Sequence, residues 1–529
     1  MRTKNIKVSL YVLGVAVAFV ASNAQAQTTP PAANGPAATP SNPPPPPTVP
    51  VQTQPPPSGV LVQTPPPPPP PVMVQTALPP PPPAMVIDLP VVPPPQPAAA
   101  PVNPWFVRPS FDVTAGTPDN QWKLTPYGFA ELDLMNDSTR SFADVVNSNV
   151  LARDGTQAGT YGRTQMGIRN SRIGFKASAP TIGGIKSSGV IEADFLGYDP
   201  APPTTTEAGF FNNPTFRVRL AYAKAESDVV DVLAGQNFHL FGWQTYFFPT
   251  SLLIMGLPNQ VFGRTTQFRL SHTFKSDDVN FEIAAAAVRP AQRDSSVPDG
   301  EAGLRLSFNN WKAVTTQGSG ATTALPAAIG VSALARRFKV DQFSATPSGN
   351  STDTGWAVAG DVLVPIISAA DKTDRMNKLT LTGEFSVGTG YADQFTGMTA
   401  GAGFPNPPDL ASGGTYTPDI DNGMVTYDPT KNGVLHTIDW RTFVVGLQYY
   451  VDRFIFAGNY TQGDSDNMTD LFPKSAKVFK KSQSTDFSAF YELTPAMRVG
   501  LGYQYLRQQF CDDATAQNHR FEAIALYYF

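Results

Sequence analysis

Seven basic residues carry most of the chemistry this sequence offers: Arg169, Arg172, Lys176, Arg217, Arg219, Arg269 and Arg305. An arginine keeps its proton at any physiological pH, and its planar fork grips a carboxylate through two parallel hydrogen bonds. Four acids, Glu131, Asp133, Glu192 and Asp194, recur with the same spacing of two. Set on opposed walls of a water-filled space, such groups create a transverse field and favour the passage of small anions. The competing reading is that these charges solvate a wall and pair with one another. A third group is aromatic: Phe241, Trp243, Tyr246 and Phe247 fall in one stretch, Phe238 to Pro249, followed by Leu252 and Leu253. A loop exposed to water should not be so apolar, so this stretch is expected either to fold inward as a constriction or to pack in a subunit interface.

Catalysis has no comparable support. His239, His272, His436 and His519 are scattered, without an i, i+4 pair or an H-E-x-x-H, and no nucleophile elbow or Walker loop is present. No cofactor and no metal site are expected, and the chain is not expected to be an enzyme. Cys511 is the single cysteine, which excludes an intrachain disulfide and a multi-thiolate zinc site. Beside Asp512 and Asp513 it reads as an incidental loop residue, with an intermolecular disulfide as the alternative.

The charged residues must be positioned by strands. Side chains two apart share a face, and in Arg217-Val218-Arg219-Leu220 or Ile191-Glu192-Ala193-Asp194 one face is charged and the other apolar. Carboxylates and guanidinium groups cannot cheaply face lipid, so the charged face should line a lumen. Ile173, Phe175, Ile191, Phe216, Val218, Leu220, Tyr222, Phe268, Leu270, Leu304 and Leu306 are then expected to point outward. The same test finds strands at 126–134, 168–177, 186–196, 215–224, 231–237, 264–274, 279–289, 301–308, 327–338, 354–364, 377–390, 441–450, 454–462, 485–493, 496–506 and 520–529. The last ends in Tyr527, Tyr528 and Phe529. That terminus is similar to the signal by which a barrel-assembly machinery takes up its clients. The expected fold is all-β: a transmembrane antiparallel barrel of about 16 strands, with short turns alternating with long loops. Two connections, 309–326 and 365–376, are too long for that alternation.

The N-terminal fifth is different. Arg2, Lys4 and Lys7 precede an apolar stretch and an Ala24-Gln25-Ala26 cleavage site, so residues 1–26 read as a secretory signal peptide. Its removal changes 38 basic against 42 acidic residues to 35 against 42, too mild a balance to imply nucleic acid as a partner. Residues 27–104 are proline-rich, with unbroken runs at Pro43–Pro47, Pro65–Pro71 and Pro79–Pro83, and Asp88 is their only charge. Proline fixes φ and removes the amide donor, so polyproline II with flexible joints and no core is expected. This arm reads as a disordered linker in the periplasm, a passive spacer or a tether to the cell wall or a periplasmic protein. The barrel should occupy 105–529, embedded in outer-membrane lipid and lipopolysaccharide of a Gram-negative-type bacterium.

Five segments, in order, resemble the DcaP-like outer-membrane porin family: Tyr127-Gly128-Phe129, Arg169 to Phe175, Glu192-Ala193-Asp194-Phe195, Arg217 to Tyr222 and Leu233-Ala234-Gly235-Gln236. The similarity spans about 126–275 and the terminal strand; 310–440 has no matching motif. The resemblance implies a homotrimer of 16-stranded channels and uptake of small anionic solutes, dicarboxylates or aromatic carboxylates. In porins of this size the third loop commonly folds inward, which favours the constriction reading. Family members carry a helical, coiled-coil-forming segment before the barrel. Here the Pro-rich tract takes its place, so a trimer would be held by barrel walls alone. The function expected is passive diffusion through an arginine-lined pore. The alternatives are a general non-selective porin and a barrel that anchors the envelope through its Pro-rich arm.

Overall fold

Alternation dominates the architecture. The structure, a computed structural model, describes residues 106, 110–117, 120–143, 150–197, 215–253, 256–292, 295–317, 320–395, 423–428 and 434–529. Expectations about 1–26 and 27–104 lie outside the described residues. The strands are β1 Val113–Thr117, β2 Asn120–Asp137, β3 Arg163–Gly167, β4 Arg172–Ser178, β5 Lys186–Asp194, β6 Arg217–Glu226, β7 Asp231–Phe238, β8 Arg264–Lys275, β9 Val279–Val288 and β10 Asp299–Thr316. They continue as β11 Thr322–Asp341, β12 Asn350–Ile367, β13 Met376–Thr389, β14 Val425–Asp428, β15 Val434–Thr437, β16 Asp439–Val451, β17 Phe454–Asp464, β18 Phe479–Thr494, β19 Met497–Phe510 and β20 Thr515–Tyr528.

All except β14 and β15 join one sheet of 18 strands. Two of these add no stave to the wall. β1 forms a hairpin on the start of β2, and β3 and β4 pair with successive parts of β2 as halves of one broken stave. The remaining 16 staves run antiparallel to their sequence neighbours, and β2 closes the ring against β20 from Phe129↔Tyr528 to Asp137↔Arg520. The closure extends to the last residue: Phe529 and Gly128 exchange backbone hydrogen bonds of 3.2 Å in both directions. Closure removes every sheet edge, the condition for crossing a bilayer with strands.

Each expected strand is present, most of them longer than expected. Both ends of the ring lie at the end of the barrel where the turns are short. At 452–453, for example, two residues suffice, and Asp452 takes a φ of +55°, which a tight hairpin turn favours. The connection 365–376 shortens only at its ends, because β12 continues to Ile367 and β13 begins at Met376; 368–375 remain outside the strands. The connection 309–326, by contrast, is mostly strand, because β10 and β11 run 18 and 20 residues, with bulging between Phe308 and Lys312.

One face of the wall exposes Ile191, Val218, Phe268, Leu270, Leu304, Val331, Phe385, Phe443 and Phe487; the other buries the charged and small polar side chains. An apolar outside and a polar inside is the reverse of a soluble protein and suits a lipid-facing barrel. Two expected faces are wrong. β6 bulges at Arg219-Leu220, so that Glu192 pairs with Leu220 and Ala193 with Val218. Leu220 therefore stands opposite the inner-facing Glu192 and lines the interior cavity, and beyond the bulge Tyr222 stands opposite the buried Val190; both turn to the inner face, not outward.

Two segments fill the interior. The loop 239–263 leaves β7, packs on β10 and β11 and crosses to β16–β19. Asn459 there donates to the Thr250 carbonyl at 2.7 Å, and the Leu252 amide donates to Ser488 at 3.2 Å. The loop then returns past β13, where the Val261 amide donates to Glu384 at 2.8 Å. The second segment is the end of the β10–β11 hairpin, which bends in from the short-turn end. At the opposite mouth, residues of the long loops, among them Phe142, Leu151, Tyr391, Tyr427 and Met468, join one buried cluster with Phe241 and Trp440.

Candidate functional site

β4, β5 and β6 place five charged side chains side by side on the inner face. Arg217 grips Asp194 with both arms of its fork, at 3.0 and 2.7 Å. Arg219 bridges the two acids, 2.7 Å from Glu192 and 3.1 Å from Asp194. Arg172 approaches Glu192 at 3.7 Å and lies over the Phe129 ring, 5.0 Å from its centroid. Tyr127, two staves from Glu192, reaches it with its hydroxyl at 3.1 Å. It can do so because the intervening residue is Gly174, where any Cβ would lie 2.4 Å from the phenol ring.

This arrangement corrects the expectation of opposed acidic and basic walls. Glu192 and Asp194 sit between the arginines on the same wall, so their field is largely local. Glu131 and Asp133 are buried on the inner face of β2, and Glu131 accepts from Asn170 at 2.6 Å. Arg169 lies in the break between β3 and β4, and its guanidinium reaches the Phe195 carbonyl at 3.3 Å and the Gly197 carbonyl at 3.5 Å. It fastens the start of the loop after β5. Lys176 is exposed toward the short-turn end. Arg269 donates to Gln267 and to the Phe238 carbonyl, at 2.9 and 2.7 Å. Arg305 pairs with Glu282 and lies 4.1 Å from the Tyr246 ring centroid and 5.0 Å from that of Trp243.

The aromatic segment is inside the barrel, with its rings largely committed to the wall. Phe241, Trp243 and Phe247 are buried. The Trp243 indole N–H donates to the Leu304 and Val331 carbonyls at 3.1 and 3.2 Å. Gly303 and Gly330 make room for it, since a Cβ at either would lie within 2.9 Å of the indole. Tyr246 donates to the Pro326 carbonyl at 2.7 Å. These rings therefore hold the loop in place and are not presented as stacking platforms for a solute.

Between the loop and the arginine wall lies a cavity of about 340 Å³. Arg172, Arg219, Glu192 and Asn170 form one side, Phe248, Leu253, Gln260 and Phe262 the other, and Gln317, Gly320 and Thr323 the floor. Sequence reasoning missed Arg264 here. Its guanidinium lies 5.4 and 5.7 Å from the Phe238 and Phe262 ring centroids, within the field of Arg219, Arg217 and Arg172 as well as Asp194. One of its nitrogens is buried with no hydrogen-bond partner. The signal was weak, because Arg264 is the first residue of β8, where the loop ends and alternation no longer fixes direction. Also missed were Arg336, paired with Asp299 and Asp393, Arg375 and Arg498, which share Glu492, and Arg520, paired with Asp137. Among the described residues no group of three or more His, Cys, Asp or Glu is placed to hold a metal ion.

No protein-family profile matches the sequence, and no curated protein sequence matches it. Solved structures do. The outer membrane channel DcaP of Acinetobacter baumannii superposes with a TM-score of 0.55 at 16% identity, covering 77% of this chain and 97% of that one. An anion-selective porin from Comamonas acidovorans gives a TM-score of 0.44 at 9% identity, covering 77% of this chain and 100% of its own. OmpF of Salmonella typhi, in complex with daunomycin, gives 0.43 at 12%, covering 79% and 100%. The resemblance carried by the five sequence segments is thus matched by the fold of the DcaP channel.

Proposed function

We propose that this protein is an outer-membrane porin through which small organic anions diffuse along the arginine-bearing wall of β4–β6. One observation carries the reading: both interior segments lean on the β10–β19 half of the ring, and the cavity left over is bordered by Arg172 and Arg219. Arg264, an unneutralised neighbour of that cluster, tips its balance toward positive. An anion entering there exchanges water for guanidinium donors already held in place, so little ordering is needed on binding. Small dicarboxylates are the class the family resemblance suggests, and a homotrimer is its expected assembly. Ion pairing within the wall limits the field, so selectivity would come from the few guanidinium nitrogens left over.

Planar-bilayer conductance of the purified protein in a salt gradient tests the reading. The expected result is a reversal potential displaced toward anion passage and a current blocked by added dicarboxylate. A large conductance with neither selectivity nor block would make it a general porin. No conductance would favour an anchoring role for the barrel.

A further inference from the structure

We propose that the arms of the β10–β11 hairpin, residues 312–317 and 320–326, form a gate that floors the pore at the short-turn mouth and swings aside to release solute. The inference rests on the porin reading above. Lateral pairing of β10 with β9 ends at Phe308↔Val279, and that of β11 with β12 ends at Ala328↔Leu363. Beyond those points the hairpin leaves the wall as a two-stranded ladder, fastened at its root by the Ala369 amide on the Lys312 carbonyl and the Trp311 indole on the Pro365 carbonyl, both at 2.9 Å, and a two-stranded hairpin is marginally stable by itself. Its root has the features of a hinge. The ladder bulges between Phe308 and Lys312, and Pro326, opposite Lys312, has no amide to donate.

The arms then cross the lumen to side chains on the inner faces of distant staves. Thr380 on β13 donates to the Val314 carbonyl at 2.7 Å. On β16, Tyr450 donates to the Thr316 hydroxyl at 3.1 Å, and Gln448 accepts from the Thr316 amide at 3.1 Å. Arg498 on β19 donates to the Gly320 carbonyl at 3.2 Å. Where they rest, the arms close the floor of the arginine-bordered cavity with Gln317, Gly320, Ala321 and Thr323.

The character of these contacts separates a gate from a plug. Near their root the arms pack Ala313 and Leu325 against the Trp243–Leu363 cluster, and Val314 joins an inner cluster with Tyr450 and Phe490; beyond that they meet the distant staves through hydroxyls, amides and carbonyls. Water replaces such partners at little net cost, unlike the buried rings that pin the aromatic loop. The arms also touch that loop: Thr250 donates to the Thr316 carbonyl, and Gln317 donates to the Thr245 carbonyl. A solute that shifts the loop from the arginine side therefore disturbs the hairpin directly.

The test is a reversible tether. Thr315 and Gln448 touch at 3.3 Å, so T315C and Q448C are introduced together in a C511S full-length background. The pair is bridged by a short thiol-reactive linker that reductant cleaves. Conductance that vanishes with the bridge and returns with reductant supports the gate, and that recovery also shows that the variant folds. Equal conductance in bridged and reduced protein overturns it. A companion variant replaces residues 313–321 by Asn-Gly. If it conducts while the reduced full-length protein does not, the hairpin is a fixed plug and the gate is wrong. If it too is silent, the porin reading itself has failed.

Discussion

Glu192 decides how much positive charge the pore presents. It occupies Arg219 at 2.7 Å and draws Arg172 to 3.7 Å. Glu192→Gln keeps the shape and removes the charge, so both guanidinium groups turn toward solute, and the reversal potential should move further toward anion passage. Arg219→Ala has the opposite sign. It leaves Glu192 and Asp194 short of a cation, which costs about 3–5 kcal/mol in a dry interior and less in a wet lumen, so anion preference and thermal stability should fall together. If neither substitution moves the reversal potential, the charges only pair with one another. Cys511 gives a separate test. It packs in the outer loops with its sulfur 3.7 Å from the Met468 carbonyl, and burial pushes its thiol up to about 11. That removes the exposed thiol an intermolecular disulfide would need. Near neutral pH the thiolate is scarcer by on the order of 100-fold than for a thiol of ordinary acidity. Maleimide should therefore label folded protein far more slowly than unfolded protein, as read by mass, and non-reducing gels should show no cross-linked dimer.

The loop 239–263 holds its course through a few anchors, of which Trp243 is the largest. Trp243→Ala empties a pocket against Gly303 and Gly330 and removes a stacking partner of Arg305. Large-to-small changes of this kind cost about 3–5 kcal/mol. The loop should loosen, and single-channel conductance should rise and become noisier. Unchanged conductance would mean that the remaining anchors, such as Val261 on Glu384, suffice. The strands themselves were legible because period-two alternation is a property of each strand taken alone. The charged inner face of β4–β6 was legible for the same reason. What failed were properties set by neighbours. The bulge at Arg219-Leu220 turned Tyr222 inward, and no local pattern marks a bulge. The acids came out beside the arginines because ring position, not sequence order, decides which residues face each other. The hairpin arms read as an overlong turn because Ala313, Thr315, Thr316 and Thr322 are short and polar-leaning, without the apolar face that lipid demands of a wall strand. Their excess length was the only sign of them.

Taken whole, the barrel is organised as a wall and its filling, with the filling gathered on one side. Its fold depends on residues from Val113 onward. β1 rides on the start of β2, and Phe106 lies buried beneath Arg375 at 4.2 Å, in the short-turn region where the chain enters. Residues 102–529 form a compact unit of their own. Deleting 27–101 should therefore leave conductance, reversal potential and thermal stability of the barrel unchanged, because no ladder pairing or ring closure is lost. The consequences for the envelope discriminate between the two readings of the arm. A passive spacer predicts that cells with the shortened protein keep their outer membrane attached and that neither form co-sediments with purified cell wall. A tether predicts that the full-length protein co-sediments and the shortened form does not. The arm carries no Lys or Arg and only Asp88 as a charge, so binding to an acidic polymer would not rest on Coulomb attraction. Such co-sedimentation should accordingly survive molar salt, whereas binding lost on adding salt would point to contamination through the barrel's own basic residues.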